Sequence, residues 1–257
     1  MVTSSGPSWV SSSITSVAIV GASGRMGRLA TRLIDDSDDL RVHIGIGSSD
    51  PIELIEGADL VLDLTVPAVS QEVVGAALDR GIPVLVGTSG WTAERIAVLA
   101  RRMVGLPELG VIIVPNFSLG SVLATLASTM LAPYFDSIEI VEAHHEGKVD
   151  SPSGTAIRTA ELIGAARADA GPVAAPHADQ RARGQQVASV PIHSLRMSGL
   201  LAQQDVIFGG VGETVRISHE TFSDDSYAAG LLLGLRAAPG ARGVVVGLDK
   251  LLELNRS

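Results

Sequence analysis

Short aliphatic runs punctuate the chain at residues 17–20, 42–46, 60–64, 84–86 and 111–114. Runs this brief and this uniformly apolar predict strands covered on both faces. The stretches between them include residues 26–33, 69–78 and 93–103, where apolar side chains recur three or four positions apart and predict helices that each bury one face. This alternation predicts a parallel, doubly wound α/β sheet.

After Asn116 and Phe117 the pattern changes. A long apolar helix is predicted at 119–131, a strand at 137–141 and a further helix starting near Ser153. Residues 168–188 are rich in Ala, Gly, Pro, Gln and Arg, lack a period, and read as a long surface loop. Strand-like runs follow at 190–196, 205–208 and 214–219. In the last of these Val215, Ile217 and His219 alternate with Arg216 and Ser218, the pattern of an open mixed sheet with one wetter face. A helix at 227–237 and a valine run at 244–246 return to the style of the first half. The expected organisation is a disordered extension at 1–16, a first α/β domain at 17–117, a smaller α+β domain at 118–225, and a segment at 226–257 that rejoins the first domain.

Composition narrows the functional classes. Hydrophobic residues make up 46% of the 257, enough for a sizeable core. No uncharged apolar run reaches the roughly 18 residues of a membrane span. The Ser-rich start lacks the basic and apolar regions of a secretory signal. A formal charge of −9 argues against a broad nucleic-acid face, which needs clustered Lys and Arg. The absence of cysteine excludes disulfides, thiolate nucleophiles and cysteine metal sites, and fits a cytoplasmic location. A small anion held in a local basic pocket remains compatible with all of this.

The first predicted strand runs into Gly21, Ala22, Ser23, Gly24, Arg25, Met26 and Gly27, and then into a helix. Glycines at this spacing let a pyrophosphate approach the backbone N–H groups at a helix start. Strand before and helix after is the context a dinucleotide site requires; the plainer alternative is a tight strand-to-helix turn. Dinucleotide folds usually hold the NAD ribose with a carboxylate near the end of the second strand. That strand here ends in Gly45, Ile46 and Gly47 followed by Ser48 and Ser49, and Asp50 is the nearest carboxylate. Arg25 and the serines would tolerate a 2′-phosphate, so NADH and NADPH both stay open. Gly87, Thr88 and Ser89 after the fourth strand, and Val114, Pro115, Asn116 and Phe117 after the fifth, are further cofactor candidates at the sheet edge where ligands bind in such folds.

The densest chemistry lies at residues 142–156, E-A-H-H-E-G-K-V-D-S-P-S-G-T-A. His144 and His145 can exchange protons near neutral pH, and Lys148 can anchor a carboxylate or deliver a proton. Ser153, Gly154 and Thr155 should open a helix whose free N–H groups and hydroxyls favour an anion. Structural histidines and simple capping are the plainer readings. No metal is expected, because His145 lacks a second His at the spacing of zinc proteases. The Tyr-x-x-x-Lys pair of short-chain dehydrogenases and the G-x-S-x-G nucleophile elbow are both absent.

Taken together, these motifs resemble the dihydrodipicolinate reductase family of bacterial lysine and diaminopimelate biosynthesis. E-A-H-H-x-x-K-x-D-x-P-S-G-T-A at 142 carries most of the resemblance, supported by G-A-S-G-R-M-G at 21, D-L-T at 63, V-G-T-S-G at 86 and P-N-F-S at 115. It covers residues 17–254. The resemblance implies a Rossmann-like domain, a central domain that supplies the interface of a homotetramer, and reduction of a small cyclic dicarboxylate by NADH or NADPH. It implies that His144 donates or accepts a proton, that Lys148 donates one, and that His145, Ser153, Gly154 and Thr155 bind substrate. Alternatives are a reductase of another cyclic imino acid, or a dinucleotide-binding regulator. The chain departs from the pattern at Glu146 and Gly147, where many relatives carry a further His, and in the missing ribose carboxylate.

Overall fold

The computed structural model describes residues 14–252, and the chain divides into two compact units. The extension expected at 1–16 lies outside the described residues as far as residue 13, while Thr15 and Ser16 already belong to the first strand. Residues 253–257 also lie outside them.

The first unit runs to Pro115 and resumes at Leu231–Leu251. It contains β1 (Thr15–Val20), α1 (Arg25–Asp35), β2 (Leu40–Ile46), β3 (Leu60–Asp63), α2 (Ser70–Asp79), β4 (Val84–Val86), α3 (Ala93–Met103) and β5 (Gly110–Ile113). The second unit, 116–230, contains α4 (Leu119–Leu131), β6 (Ser137–His144), α5 (Gly154–Ala166), β7 (Gln185–Val187), β8 (Val190–Arg196), β9 (Ala202–Gly210) and β10 (Glu213–Thr221). Helix α6 (Ala228–Ala237) starts at the end of the second unit and leads to β11 (Gly243–Val246) in the first.

The first sheet has the order β11-β5-β4-β3-β1-β2, and every neighbouring pair is parallel. This is the predicted doubly wound, Rossmann-like arrangement. Its inner strands are sealed on both faces, which is why they read as unbroken aliphatic runs. Strand β2 lies at the edge, and there exposed residues alternate with half-buried ones.

The second sheet is mixed, in the order β10-β9-β6-β8-β7, with β6 and β8 parallel and the other pairs antiparallel. One row of side chains, Ile138, Ile140, Ile192, Val206 and Phe208, packs with Ala156, Ala160 and Ile163 of α5. Phe208 is fully buried and its ring meets that of Phe135 at 5.6 Å. Strand periodicity puts Glu142 on this same core row, two places beyond Ile140.

The surface loop expected at 168–188 needs correction. It holds a short 3-10 turn at Arg181–Arg183 and the strand β7, which pairs with β8 through Val187 and Val190. The two-residue turn of this hairpin is Ala188-Ser189, with φ of 47° and 70°. Such turns normally announce themselves with Asn-Gly or Asp-Gly. Neither residue here carries that signal.

Candidate active site

In the first unit the glycine turn folds onto itself. Gly21 adopts φ of 90°, and a Cβ there would stand 2.4 Å from the Leu64 carbonyl oxygen. A Cβ on Gly27 would stand 2.3 Å from the carbonyl oxygen of Gly21. The N–H groups of Gly21 and Ala22 both donate to the Ile46 carbonyl, at 2.8 and 3.1 Å, and tie the turn to the end of β2. Helix α1 starts at Arg25 behind the N-cap Gly24, which offers no side-chain acceptor, and its first turn carries no acid. The helix therefore presents the positive end of its dipole with no side-chain cap and no acid beside it, so this turn fits a dinucleotide pyrophosphate. Ser23, Gly24 and Arg25 are exposed, and Ala22 and Met26 half-buried.

The neighbouring loops are held from below by one carboxylate. Asp63, fully buried, accepts from Thr65 N at 3.0 Å, Thr65 Oγ1 at 2.6 Å, Thr88 Oγ1 at 3.0 Å and the Ser70 hydroxyl. Gly87 N donates to the Asp63 carbonyl at 2.9 Å, and Ser89 is exposed just beyond. Val114 is buried and bonded to Val86, whereas Pro115 is exposed. Asn116 and Phe117 fall in the second unit. There the Asn116 amide donates to Ser121 Oγ at 3.0 Å and Thr155 Oγ1 at 3.4 Å, and Phe117 is buried.

The histidine cluster of the second unit is organised around Glu142, a carboxylate with no exposed surface. His144 Nδ1 lies 2.6 Å from Glu142 Oε2. An ionised carboxylate only accepts, so Nδ1 carries the proton of this bond. Arg196 donates from both Nη atoms to the two Glu142 oxygens at 2.9 Å each, and Ser153 N adds a bond at 3.2 Å. Burial alone would raise the carboxyl pKa, but hydrogen bonds from His144, Arg196 and Ser194 outweigh it and lower the value to about 2. Glu142 is therefore ionised at neutral pH.

Ser153 is the N-cap of α5, its Oγ accepting from Ala156 N at 3.2 Å. Gly154 is exposed, with open space where a side chain would be. His144, Ser153, Thr155 and Asn116 border a polar cavity of about 70 Å³ together with Ser118, Gln204 and His219. His219 Nε2 lies 3.1 Å from Ser118 Oγ, and burial holds the imidazole below its ordinary pKa. Gln204 Oε1 is buried with no hydrogen-bond partner. His145 and Lys148 lie on the turn leaving β6. His145 is exposed, and Lys148 Nζ pairs with Asp150 at 2.7 Å. Sequence reasoning missed Arg196, Gln204 and His219 as site residues, and left Glu142 without a role. A charged residue on the core row of β6 was the available signal for Glu142. Arg196, 54 positions away, is disclosed only by the parallel register that sets it opposite His144.

A Rossmann-like unit with a glycine turn at the start of its first helix, in one chain with a unit that sets a carboxylate-held histidine beside the start of α5, has the parts a nicotinamide-dependent reductase uses. Family models described as dihydrodipicolinate reductase, N-terminus and C-terminus, match residues 15–117 and 118–252. The chain belongs to the dihydrodipicolinate reductase family, whose members are NAD(P)H-dependent oxidoreductases. It is 58% identical to the 4-hydroxy-tetrahydrodipicolinate reductase of Clavibacter michiganensis subsp. michiganensis over 243 residues, covering 95% of this chain and 88% of the relative. Against the enzyme of the same name from Streptomyces griseus the identity is 45%, covering 93% and 98%. Among solved structures, a dipicolinate-bound dihydrodipicolinate reductase from Paenisporosarcina sp. TG-14 is similar at a TM-score of 0.79 and 28% identity, over 93% of this chain and all of that one. A probable dehydrogenase from Thermotoga maritima, at 11% identity and a TM-score of 0.58 over 92% of each chain, shares the fold alone.

Proposed function

We propose that the chain reduces 4-hydroxy-tetrahydrodipicolinate to tetrahydrodipicolinate with NADH or NADPH, in diaminopimelate and lysine biosynthesis. The net change is loss of one water and gain of one hydride and one proton. The bound nicotinamide supplies the hydride, and the residues of this chain bind the substrate and supply the proton. The carrying observation is that His144, fixed through Nδ1 by Glu142, borders the same cavity as Ser153 and Thr155 at the start of α5. With Nδ1 engaged, Nε2 is the ring atom left to exchange a proton with substrate. The N-terminal N–H groups of α5, with Gly154, Thr155 and His145, receive a carboxylate. Lys148 leaves Asp150 to reach the substrate and acts as a proton donor. The glycine turn, Gly87 to Ser89 and Val114 to Phe117 are the proposed cofactor contacts.

The chain is further proposed to work in the cytoplasm as a homotetramer. Support for assembly comes from the second sheet, where the row opposite the core, Glu139, Val141, Asp205 and Ile207, is only half-buried. Light scattering on the purified protein tests the tetramer. The activity test follows NADH and NADPH oxidation with freshly generated 4-hydroxy-tetrahydrodipicolinate and, separately, with other cyclic imino acids. Activity only with another imino acid would reassign the substrate, and oxidation with none would favour a regulator. His144→Gln is expected to remove most turnover while cofactor affinity holds; unchanged turnover would exclude His144 from proton transfer.

A further inference from the structure

The hydrogen bonds of the second unit converge on a side chain that no motif contains. Arg196 ends β8 and stands in register beside His144. Its guanidinium is mostly buried and makes the fork to Glu142 described above. The same Nη2 also donates to the Asp150 carbonyl at 2.6 Å. Glu142 in turn holds His144 and the Ser153 N–H. Asp150 in turn pairs through its carboxylate with Lys148. The histidine, the lysine-bearing turn and the start of α5 are thus all linked to one guanidinium.

We infer that Arg196 is a positioning residue of the reductase: through Glu142 it fixes the His144 tautomer and the start of α5, and through Asp150 it fixes the turn carrying Lys148. The inference rests on the proton-transfer role proposed for His144. A planar fork is required, because two parallel bonds fix the carboxylate plane and a third reaches the turn; a lysine can supply charge without that geometry. The alternative is an ion pair that serves only packing. Buried pairs of that kind can be replaced by neutral side chains with little loss of stability.

The two accounts separate experimentally. In Arg196→Lys, kcat should fall by about a hundredfold, as misplacement by about an ångström suffices for that. Affinity for NADH and NADPH should stay within about twofold, since the first unit is untouched. Nitrogen NMR of the His144 ring should change from a pure Nδ1–H tautomer to a mixture. Arg196→Ala should regain part of its kcat when guanidinium is added at concentrations far below those that unfold proteins. The neutral pair Glu142→Gln with Arg196→Met covers a failure of the single variants to fold. It should keep its melting temperature and lose kcat. Wild-type kcat in either folded Arg196→Lys or the neutral pair overturns the inference, as does an unchanged His144 tautomer. The tautomer is read without substrate, so it tests Arg196 even if the proposed substrate proves wrong.

Discussion

Glu142 makes a measurable claim about acid stability. Its carboxyl pKa falls from 4.5 to about 2 on folding, because the bonds from His144, Arg196 and Ser194 exceed the cost of burial. A depressed folded-state pKa contributes stability that is complete above the unfolded value and is lost as pH falls towards the folded one. The window therefore runs from about 4.5 down to about 2. At about 1.4 kcal/mol per unit, the shift corresponds to about 3 kcal/mol. Several other carboxylates are also depressed, Asp39, Asp59, Glu139 and Asp150 among them, so the wild-type acid profile alone would not isolate this one. Glu142→Gln does isolate it, because the amide does not titrate. Urea unfolding of both proteins at fixed concentration should show wild type more stable at pH 6, with the gap shrinking by about 3 kcal/mol as pH approaches 2. A gap that stays constant across that range would refute the claim that Glu142 is held ionised by its donors.

Three further outcomes are expected. Gly27→Ala should abolish tight NADH binding and lower the melting temperature, because the added Cβ meets backbone atoms of Gly21 and Ala22 at 2.3 and 2.6 Å; fluorescence titration and thermal unfolding check it. Asp63→Asn puts an amide where Thr65, Thr88 and Ser70 all donate, and should cost roughly 1–3 kcal/mol in denaturant unfolding together with weaker cofactor affinity. Asp50 Oδ2 accepts from Gly47 N at 2.7 Å, which draws its carboxylate back to the end of β2. Asp50→Asn, which should keep that turn, tests whether this carboxylate stands in for the missing ribose ligand: a shift in the ratio of NADH to NADPH dissociation constants towards NADPH by about fivefold, roughly 1 kcal/mol, assigns it that part, and an unchanged ratio rules it out.

The first sheet was legible because β1, β3, β4 and β5 are covered on both faces, and a strand in that setting must be aliphatic throughout. Strand β7 was illegible because its register depends on the Ala188-Ser189 turn, whose left-handed backbone is imposed from outside the dipeptide. Ser189 Oγ accepts from Val173 N, and Gly164 of α5 packs closely against Ala188. At the candidate site, the local motif displayed His144, His145, Lys148 and Ser153 within one short span. The residues that tie this span together come from elsewhere. Arg196 arrives by strand pairing, and Asn116 meets Thr155 across 39 positions. A sequence reports such meetings only through its fold.

The chain leaves its first unit after Pro115 and re-enters it at Leu231. Strand β11 completes the parallel sheet by pairing with β5, and it is synthesised about 130 residues after it. At roughly 5–20 residues per second, the ribosome needs on the order of ten seconds to deliver it. During that interval the first unit lacks its last strand, and Gly110–Ile113 presents an open edge of unpaired backbone N–H and C=O groups between apolar side chains. The second unit is made meanwhile, with all of its strands supplied in one continuous stretch. Translation order therefore has the second unit ready to fold before the first can close, and a nascent chain halted between them leaves the β5 edge unpaired, the kind of edge that templates aggregation.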